Sequence, residues 1–192
     1  MFKFFILLYF FQNVFSIQIN TFLDSEIKCH ELQNNISIST INYDNIVGNW
    51  YELFSTKNNS FNFHNKNNYS CSSLTFFKYG NVFPCEYEYL SKGKYHSTFG
   101  HLEFNQTNYF TKFEFISQNS IENYSIFYIS EDNDLLGIMK CSNYRLKYNL
   151  GFYIFSKNIN SKQSTKIFDY LLQKGLNKKE LFNFIPINHN YC

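Results

Sequence analysis

From about residue 48 to about residue 157, apolar and polar positions follow one another in short runs that read as strands. The candidates are 49–55, 72–79, 85–90, 95–104, 109–116, 125–130, 136–142 and 151–157. Turn signals separate most of them: Tyr79-Gly80-Asn81, Ser91-Lys92-Gly93-Lys94, Asn105-Gln106-Thr107-Asn108 and Glu131-Asp132-Asn133-Asp134. Short strands at near-regular spacing predict an all-β barrel or sandwich. The period then changes. Ile167, Phe168, Leu171 and Leu172 fall at helical spacing, Ser164 can cap the start and Gly175 the end, which predicts a helix over about 164–174. An arm, 17–47, precedes the strands, polar and irregular over its first part. A tail, 175–192, follows the helix and carries a last apolar stretch, 181–187. Between the first two candidate strands, the Asn-rich interval 57–70 reads as a solvated loop or as a flap with Phe61 and Phe63 dipping inward.

The first 16 residues stand apart. Met1-Phe2-Lys3 is followed by an apolar run from Phe4 to Phe11 and then by Val14-Phe15-Ser16. A basic start, an apolar core and small-type residues before a cut describe a secretory signal peptide, with cleavage after Ser16. The run is short of the roughly 20 residues of a membrane-spanning helix. The expectation is an exported domain, 17–192, without a transmembrane anchor.

Composition adds little chemistry. The chain has 24 Phe, 16 Tyr, 27 Asn, no Ala and a single arginine, Arg145. The missing Ala argues against a helical bundle, and the surplus of Phe, Tyr and Ile favours strands. The favoured residues have AT-rich codons, so the bias is foremost a genome signature; malaria-type parasites are one source of such a genome. In such a source, export would lead to the parasitophorous vacuole; otherwise the protein is secreted to the extracellular space. A net charge of +2 gives no clustered basic face, so nucleic acid is not an expected partner. The five Asn-x-Ser/Thr triplets, at Asn35, Asn58, Asn68, Asn105 and Asn123, are near the chance number in so Asn- and Ser-rich a chain and say nothing of glycosylation.

All five cysteines, Cys29, Cys71, Cys85, Cys141 and Cys192, lie beyond residue 16. In an oxidising compartment an odd number suggests two disulfides and one leftover thiol. No pair has the short spacing of structural zinc sites, so no metal is expected.

At Gly48-Asn49-Trp50-Tyr51-Glu52-Leu53 the chain resembles the lipocalins, whose first strand opens on Gly-x-Trp followed by Tyr-Glu-aliphatic. This is the only tryptophan in the chain. Two further motifs resemble the family in part. Ile129-Ser130-Glu131-Asp132-Asn133-Asp134 keeps the acidic turn between strands six and seven but not its tyrosine. Phe152-Tyr153-Ile154-Phe155-Ser156-Lys157-Asn158 places Lys157 where the family usually has arginine. The resemblance implies an eight-stranded antiparallel up-and-down barrel with one C-terminal helix packed outside. It also implies Lys157 over Trp50 at the closed end; the plainer reading of Lys157 is a solvated strand end. Within the family the cysteines resemble the apolipoprotein D and bacterial lipocalin branch, which implies Cys29–Cys141 and Cys71–Cys192, with Cys85 a free thiol. A Cys85–Cys192 pair resembles other lipocalins and stays open.

The implied function is to bind or carry a small hydrophobic ligand in the barrel, with no cofactor required. Candidate wall residues are Phe54, Phe76, Tyr87, Tyr89, Phe113, Phe127 and Tyr144, each of which would serve equally as core filler. Haem enters as a ligand candidate from the context of a blood-stage parasite, with His30, His64, His96, His101 and His189 each able to offer an imidazole. Two other classes remain. A filled barrel would act through its loops, or through a Cys85 bridge in a homo-oligomer. A thiol-dependent isomerase would use Cys85, although Pro84 and Glu86 beside it supply nothing to lower its pKa. No Gly-x-Ser-x-Gly, His-Glu-x-x-His or phosphate-loop motif suggests other catalysis.

Overall fold

The computed structural model describes residues 36, 38, 41–56, 69–80, 82–104, 111–117, 120–144, 147–161, 164–176, 184–190 and 192. At 103, 104, 111–117, 120–123, 141–144 and 147–150 it describes the backbone alone. The expected signal peptide and most of the arm lie outside the described residues, as do Phe61 and Phe63.

Among the described residues nine strands follow in order: β1 (Gly48–Thr56), β2 (Tyr69–Phe76), β3 (Phe83–Ser91), β4 (Lys94–Phe104), β5 (Thr111–Ser117), β6 (Ser120–Ile129), β7 (Leu135–Tyr144), β8 (Lys147–Ser156) and β9 (Phe184–Pro186). Helix α1 (Ser164–Gln173) lies between β8 and β9. From β2 to β8 each strand pairs antiparallel with the next, and the sheet curls. On one side β1 pairs with β2, Gly48 to Tyr51 lying opposite Phe76 to Ser73. On its other side it pairs with β8, Tyr51 to Ser55 lying opposite Ser156 to Tyr153.

Strands β2, β6 and β8 begin at Tyr69, Ser120 and Lys147, three to five residues before their expected starts, and a ninth strand is added. The second strand begins at Tyr69, so the last two positions of the Asn-rich interval are strand. A ninth strand, β9, runs beside the second half of β1, where Phe54 to Thr56 oppose Pro186 to Phe184. Beyond β9 the tail crosses toward β2. Ile187 N donates to Leu53 O at 2.9 Å, and Cys71 N donates to Asn188 O at 3.0 Å. The tail therefore occupies the place where β1 and β2 stop pairing. The Cys71–Cys192 disulfide, with Cα atoms 5.5 Å apart, ties it there.

The period-2 pleat sorts the strands into two apolar faces. The inner face holds Ile46, Trp50, Leu74, Phe76, Phe83, Cys85, Tyr87, Leu102, Tyr124, Ile126, Leu136, Ile138, Tyr153 and Phe155. The outer face packs Phe127, Met139, Phe152 and Ile154 against Ile167 and Leu171 of α1. Gly137 lies under the helix, where any side chain would strike Phe127 and Ile167. The helix ends at Gly175, whose φ of +96° glycine adopts without strain. There Gly175 N donates to Leu172 O and Leu176 N to Leu171 O, a Schellman closure with Leu176 buried beneath it.

The last residues of the arm plug one end of the inner face. Tyr43–Asn45 form a single 3₁₀ turn, with Asp44 N donating to Asn42 Oδ1 at 3.1 Å. Ile46 is buried behind it, and its carbonyl accepts from Trp50 Nε1 at 2.7 Å. Lys157 Nζ stands 4.9 Å from the Trp50 ring centroid. The acidic turn at 130–134 is held by serine: Asp134 N and Leu135 N donate to Ser130 Oγ at 3.1 and 2.9 Å, and that hydroxyl donates to Asp132.

Candidate functional site

Above the Trp50 plug the inner face turns polar. Trp50 faces inward, so the pleat also turns Glu52 inward, and its side chain has no exposure at all. Both carboxyl oxygens accept phenolic hydrogen bonds. Tyr87 OH donates to Oε2 at 2.6 Å and Tyr69 OH to Oε1 at 2.9 Å. Since the Tyr69 proton is committed to Glu52, Ser55 Oγ donates to Tyr69 OH, at 2.8 Å. Ser72 Oγ adjoins the same carboxyl, fully buried, without a hydrogen-bond partner among the described residues.

Burial is the largest influence on Glu52 and raises its pKa above the ordinary 4.5; the contacts of Tyr87, Tyr69, Ser72 and Ser55 pull it back in part. Burial and the adjacent carboxyl push both tyrosines upward, so their hydroxyls stay protonated donors. Three strands converge on this cluster: β1 brings Glu52 and Ser55, β2 brings Tyr69 and Ser72, and β3 brings Tyr87. Irregularities in two of them make it possible. A bulge between Glu52 and Phe54 lets Ser55 follow Glu52 inward. Another between Ser70 and Ser73, with Cys71 at φ +55°, brings Ser72 toward the carboxyl.

Aromatic rings continue away from the plug. Tyr89 lies 5.8 Å from Tyr87 and 6.3 Å from Tyr69, centroid to centroid, and stacks on His96 at 5.0 Å. Lys140 of β7 is also buried, with Nζ 5.6 Å from the Tyr124 ring.

Of the seven wall candidates, Phe76, Tyr87 and Tyr89 belong to this inner face, with Phe76 deep against Trp50. Phe54 and Phe127 do not. Phe54 packs edge-on against Phe168 of α1 at 5.5 Å, and Phe127 packs against Phe152 at 5.7 Å and Tyr170 at 6.3 Å. The β1 bulge turns Phe54 outward. Phe127 follows the inward Ile126 and so takes the outer face. Phe113 and Tyr144 are placed by register alone, opposite Leu102 and Lys147.

Cys85 is a free, buried thiol on the inner face. Burial pushes its pKa up to about 12, against a smaller lowering by the Gly100 backbone, so it is protonated and shielded at neutral pH. A protonated, shielded thiol is a poor nucleophile. Cys71–Cys192 is present as a disulfide, so the Cys85–Cys192 alternative does not occur. The Cys29–Cys141 pair lies outside the described residues at Cys29. Of the histidines, His30 and His64 lie outside them too, His96 stacks on Tyr89, and His189 Nε2 lies 2.7 Å from Glu52 O.

The site residues that sequence reasoning missed are Glu52, Ser55, Tyr69 and Ser72, while His96 entered only as one of five histidines able to offer an imidazole. Glu52 had a readable signal, since it stands two positions after an inward tryptophan. Ser55 and Ser72 depend on bulges that no turn residue announces.

The fold is that of the lipocalins. Lobster apocrustacyanin A1 superposes with a TM-score of 0.60 at 17% identity, covering 78% of this chain and 80% of that one. Insecticyanin of the tobacco hornworm Manduca sexta gives 0.60 at 14%, covering 79% and 82%. The siderocalin Ex-FABP, described as functioning through dual ligand specificities, gives 0.55 at 10%, covering 77% and 93%. No protein-family model and no curated protein matches the sequence. No helix among the described residues is long and apolar enough to cross a membrane.

Proposed function

We propose that this protein is an exported, non-enzymatic carrier of a small hydrophobic ligand. Its sheet closes as an eight-stranded barrel, and the ligand enters at the end opposite Trp50. The observation that carries this reading is the division of the inner face: a packed plug at Trp50, then a buried polar cluster, then the rings of Tyr89 and His96. A barrel of eight strands is just wide enough for one small ligand, and the lipocalin fold supports the reading. The branch related to apolipoprotein D remains our preferred placement, with Cys29–Cys141 stapling the arm. Residues 1–16 would direct export, into the parasitophorous vacuole if the source is an intracellular parasite.

Native mass spectrometry of protein taken from its own source tests the carrier reading, with binding of a neutral dye such as Nile red and of haemin measured on refolded protein. A stoichiometric apolar mass that leaves on unfolding, and dye binding in the micromolar range or tighter, are expected. A Soret shift with haemin would assign the cargo to porphyrins. An empty protein that takes up no dye would overturn the carrier.

A second reading rests on exposed apolar side chains. Phe77, Tyr79 and Val82 crowd the β2–β3 turn, and Tyr95 and Phe99 stand out from β4. They would make a loop-mediated interaction surface or a homo-oligomer contact. Light scattering showing a monomer that Tyr79→Lys leaves unchanged would remove the homo-oligomer.

A further inference from the structure

We propose that the outer face of β3 and β4 docks an extended, arginine-bearing segment of another protein. The inference rests on the interaction-surface reading above, names the occupant of one part of that surface, and stands apart from the carrier.

Cys85, Tyr87 and Tyr89 face inward, so the pleat turns Glu86, Glu88 and Leu90 outward. On β4, Phe99, Ser97 and Tyr95 lie opposite them in the same order. On β2, Thr75 and Ser73 stand opposite Glu86 and Glu88. Helix α1 packs elsewhere, on Phe127, Met139, Phe152 and Ile154 of β6 to β8. The rings of β4 are therefore left open: Tyr95 is 67% exposed and Phe99 61%. Burying them against a partner would be favourable in proportion to their apolar area.

The two glutamates decide which partner can do this. Neither forms an ion pair among the described residues, and their neighbours Ser73, Thr75 and Ser97 carry no charge. A wholly apolar partner would cover the rings and desolvate both carboxylates with nothing to compensate them. An anionic surface would meet like charge. A second copy laid face to face on a twofold axis through this pair would set glutamates against glutamates. The complement is a segment that brings cations. Glu86 and Glu88 are two positions apart on one strand, about 6.7 Å, which is also the spacing of alternate side chains in another extended chain. Arginine meets both features of the face, because its flat guanidinium forks onto a carboxylate and stacks on a ring. Phe99 lies directly opposite Glu86 to receive it. β3 and β4 are paired on both edges, so the segment lies across the face and binds through side chains, without adding a strand.

Backbone amide NMR of the disulfide-intact chain, titrated with three end-blocked pentapeptides, tests this. The probes are Thr-Arg-Thr-Arg-Thr, Thr-Thr-Arg-Arg-Thr and Thr-Gln-Thr-Gln-Thr. The first is expected to bind with a Kd of roughly 0.1–1 mM, to shift amides of β2 to β4 and to leave α1 unmoved. Its binding should weaken about three-fold or more between about 50 and 200 mM salt. Adjacent arginines point to opposite sides of an extended chain, so the second peptide should bind about three-fold or more weaker, and the glutamine peptide weakest. The double variant Glu86→Gln/Glu88→Gln should weaken the first peptide about ten-fold, and Phe99→Ser about three-fold with both charges kept. If these variants do not fold, the wild-type ranking decides alone. Equal binding of alternate and adjacent arginines overturns the inference, as do shifts away from β2 to β4 and binding that survives in the double variant. A dimer in light scattering that the double variant dissociates also overturns it, by giving the face to a second copy. Peptides that fail while Tyr79→Lys breaks a dimer sink this inference and leave the interaction surface standing at the β2–β3 turn. Peptides that fail on a monomer unchanged by Tyr79→Lys remove both this partner and the homo-oligomer, and Nile red binding by the carrier is independent of either result.

Discussion

Lys157 Nζ stands 4.9 Å above the Trp50 ring and donates to Asn45 O at 3.3 Å, joining the end of β8 to the plug. The ammonium thus holds the turn and the tryptophan that the turn shields. The residue is exposed, so its contribution is small. Lys157→Gln should cost about 0.5–1 kcal/mol, a fall of roughly 1–4 °C in melting temperature for a domain of this size. Arginine adds a flat face that can stack on the indole, so Lys157→Arg should melt no lower than wild type. Thermal melts of the two variants check both statements.

Gly137 is where α1 meets the sheet most closely. A Cβ there would lie 2.6 Å from Phe127 Cζ and 2.8 Å from Ile167 Cδ1, and both of those side chains are buried and cannot swing clear. Gly137→Ala should therefore cost about 1–3 kcal/mol through overpacking. Hydrogen exchange should localise the loosening to α1, with the strands of the inner face protected as before. A neutral effect would mean that the helix docks less tightly than these distances require.

Much of the fold was legible because strand alternation is a strong signal where one face is buried. Phe83, Cys85, Tyr87 and Tyr89 all face inward at period two, and Gly48-Asn49-Trp50 with Tyr51-Glu52-Leu53 behind it marked the start of β1. The helix was equally readable, from Ile167, Phe168, Leu171 and Leu172. The site was less so. Alternation read forward from Trp50 would turn Phe54 inward, and the bulge after Glu52 reverses it; a bulge is a backbone event that this sequence does not announce. Tyr69 sits in an Asn-rich run whose composition argues for loop, yet its hydroxyl is held by Glu52 and Ser55. β9 is three residues long, shorter than any periodicity can detect, and it forms because β1 and β2 diverge beyond Tyr51.

The tail depends on its disulfide. Cys71–Cys192 spans 121 residues of sequence, and Cys192→Ser should cost about 2–4 kcal/mol in denaturant unfolding. The amides of Cys71 and Ile187, which donate to Asn188 and Leu53, should lose protection first. Native-like protection at both amides in the variant would show that β9 holds the tail unaided.

The remaining thiols can be counted. Cys85 is buried, with its pKa pushed up to about 12, so the native protein should not react with a thiol reagent at neutral pH. Unfolded without reductant, the protein should expose one thiol if Cys29 and Cys141 are bonded, and three if they are not. A reaction of the native protein would mean that the interior opens on the timescale of the assay.

Glu52 makes stability depend on pH in the direction opposite to a surface carboxylate. Its pKa in the folded protein is raised above the ordinary 4.5, chiefly by burial. The folded state then holds the proton more tightly than the unfolded chain does. Its contribution to stability is complete below that ordinary value and is lost as pH rises through the folded value. Glu52→Gln keeps the shape and an acceptor but cannot ionise. The melting temperature of wild type minus that of Glu52→Gln should thus be highest near pH 4 and decline as pH rises, while the titration of every other carboxyl cancels in the difference. A difference that stays level across the whole range would mean that Tyr87 and Tyr69 alone keep the carboxylate as comfortable in the barrel as in water.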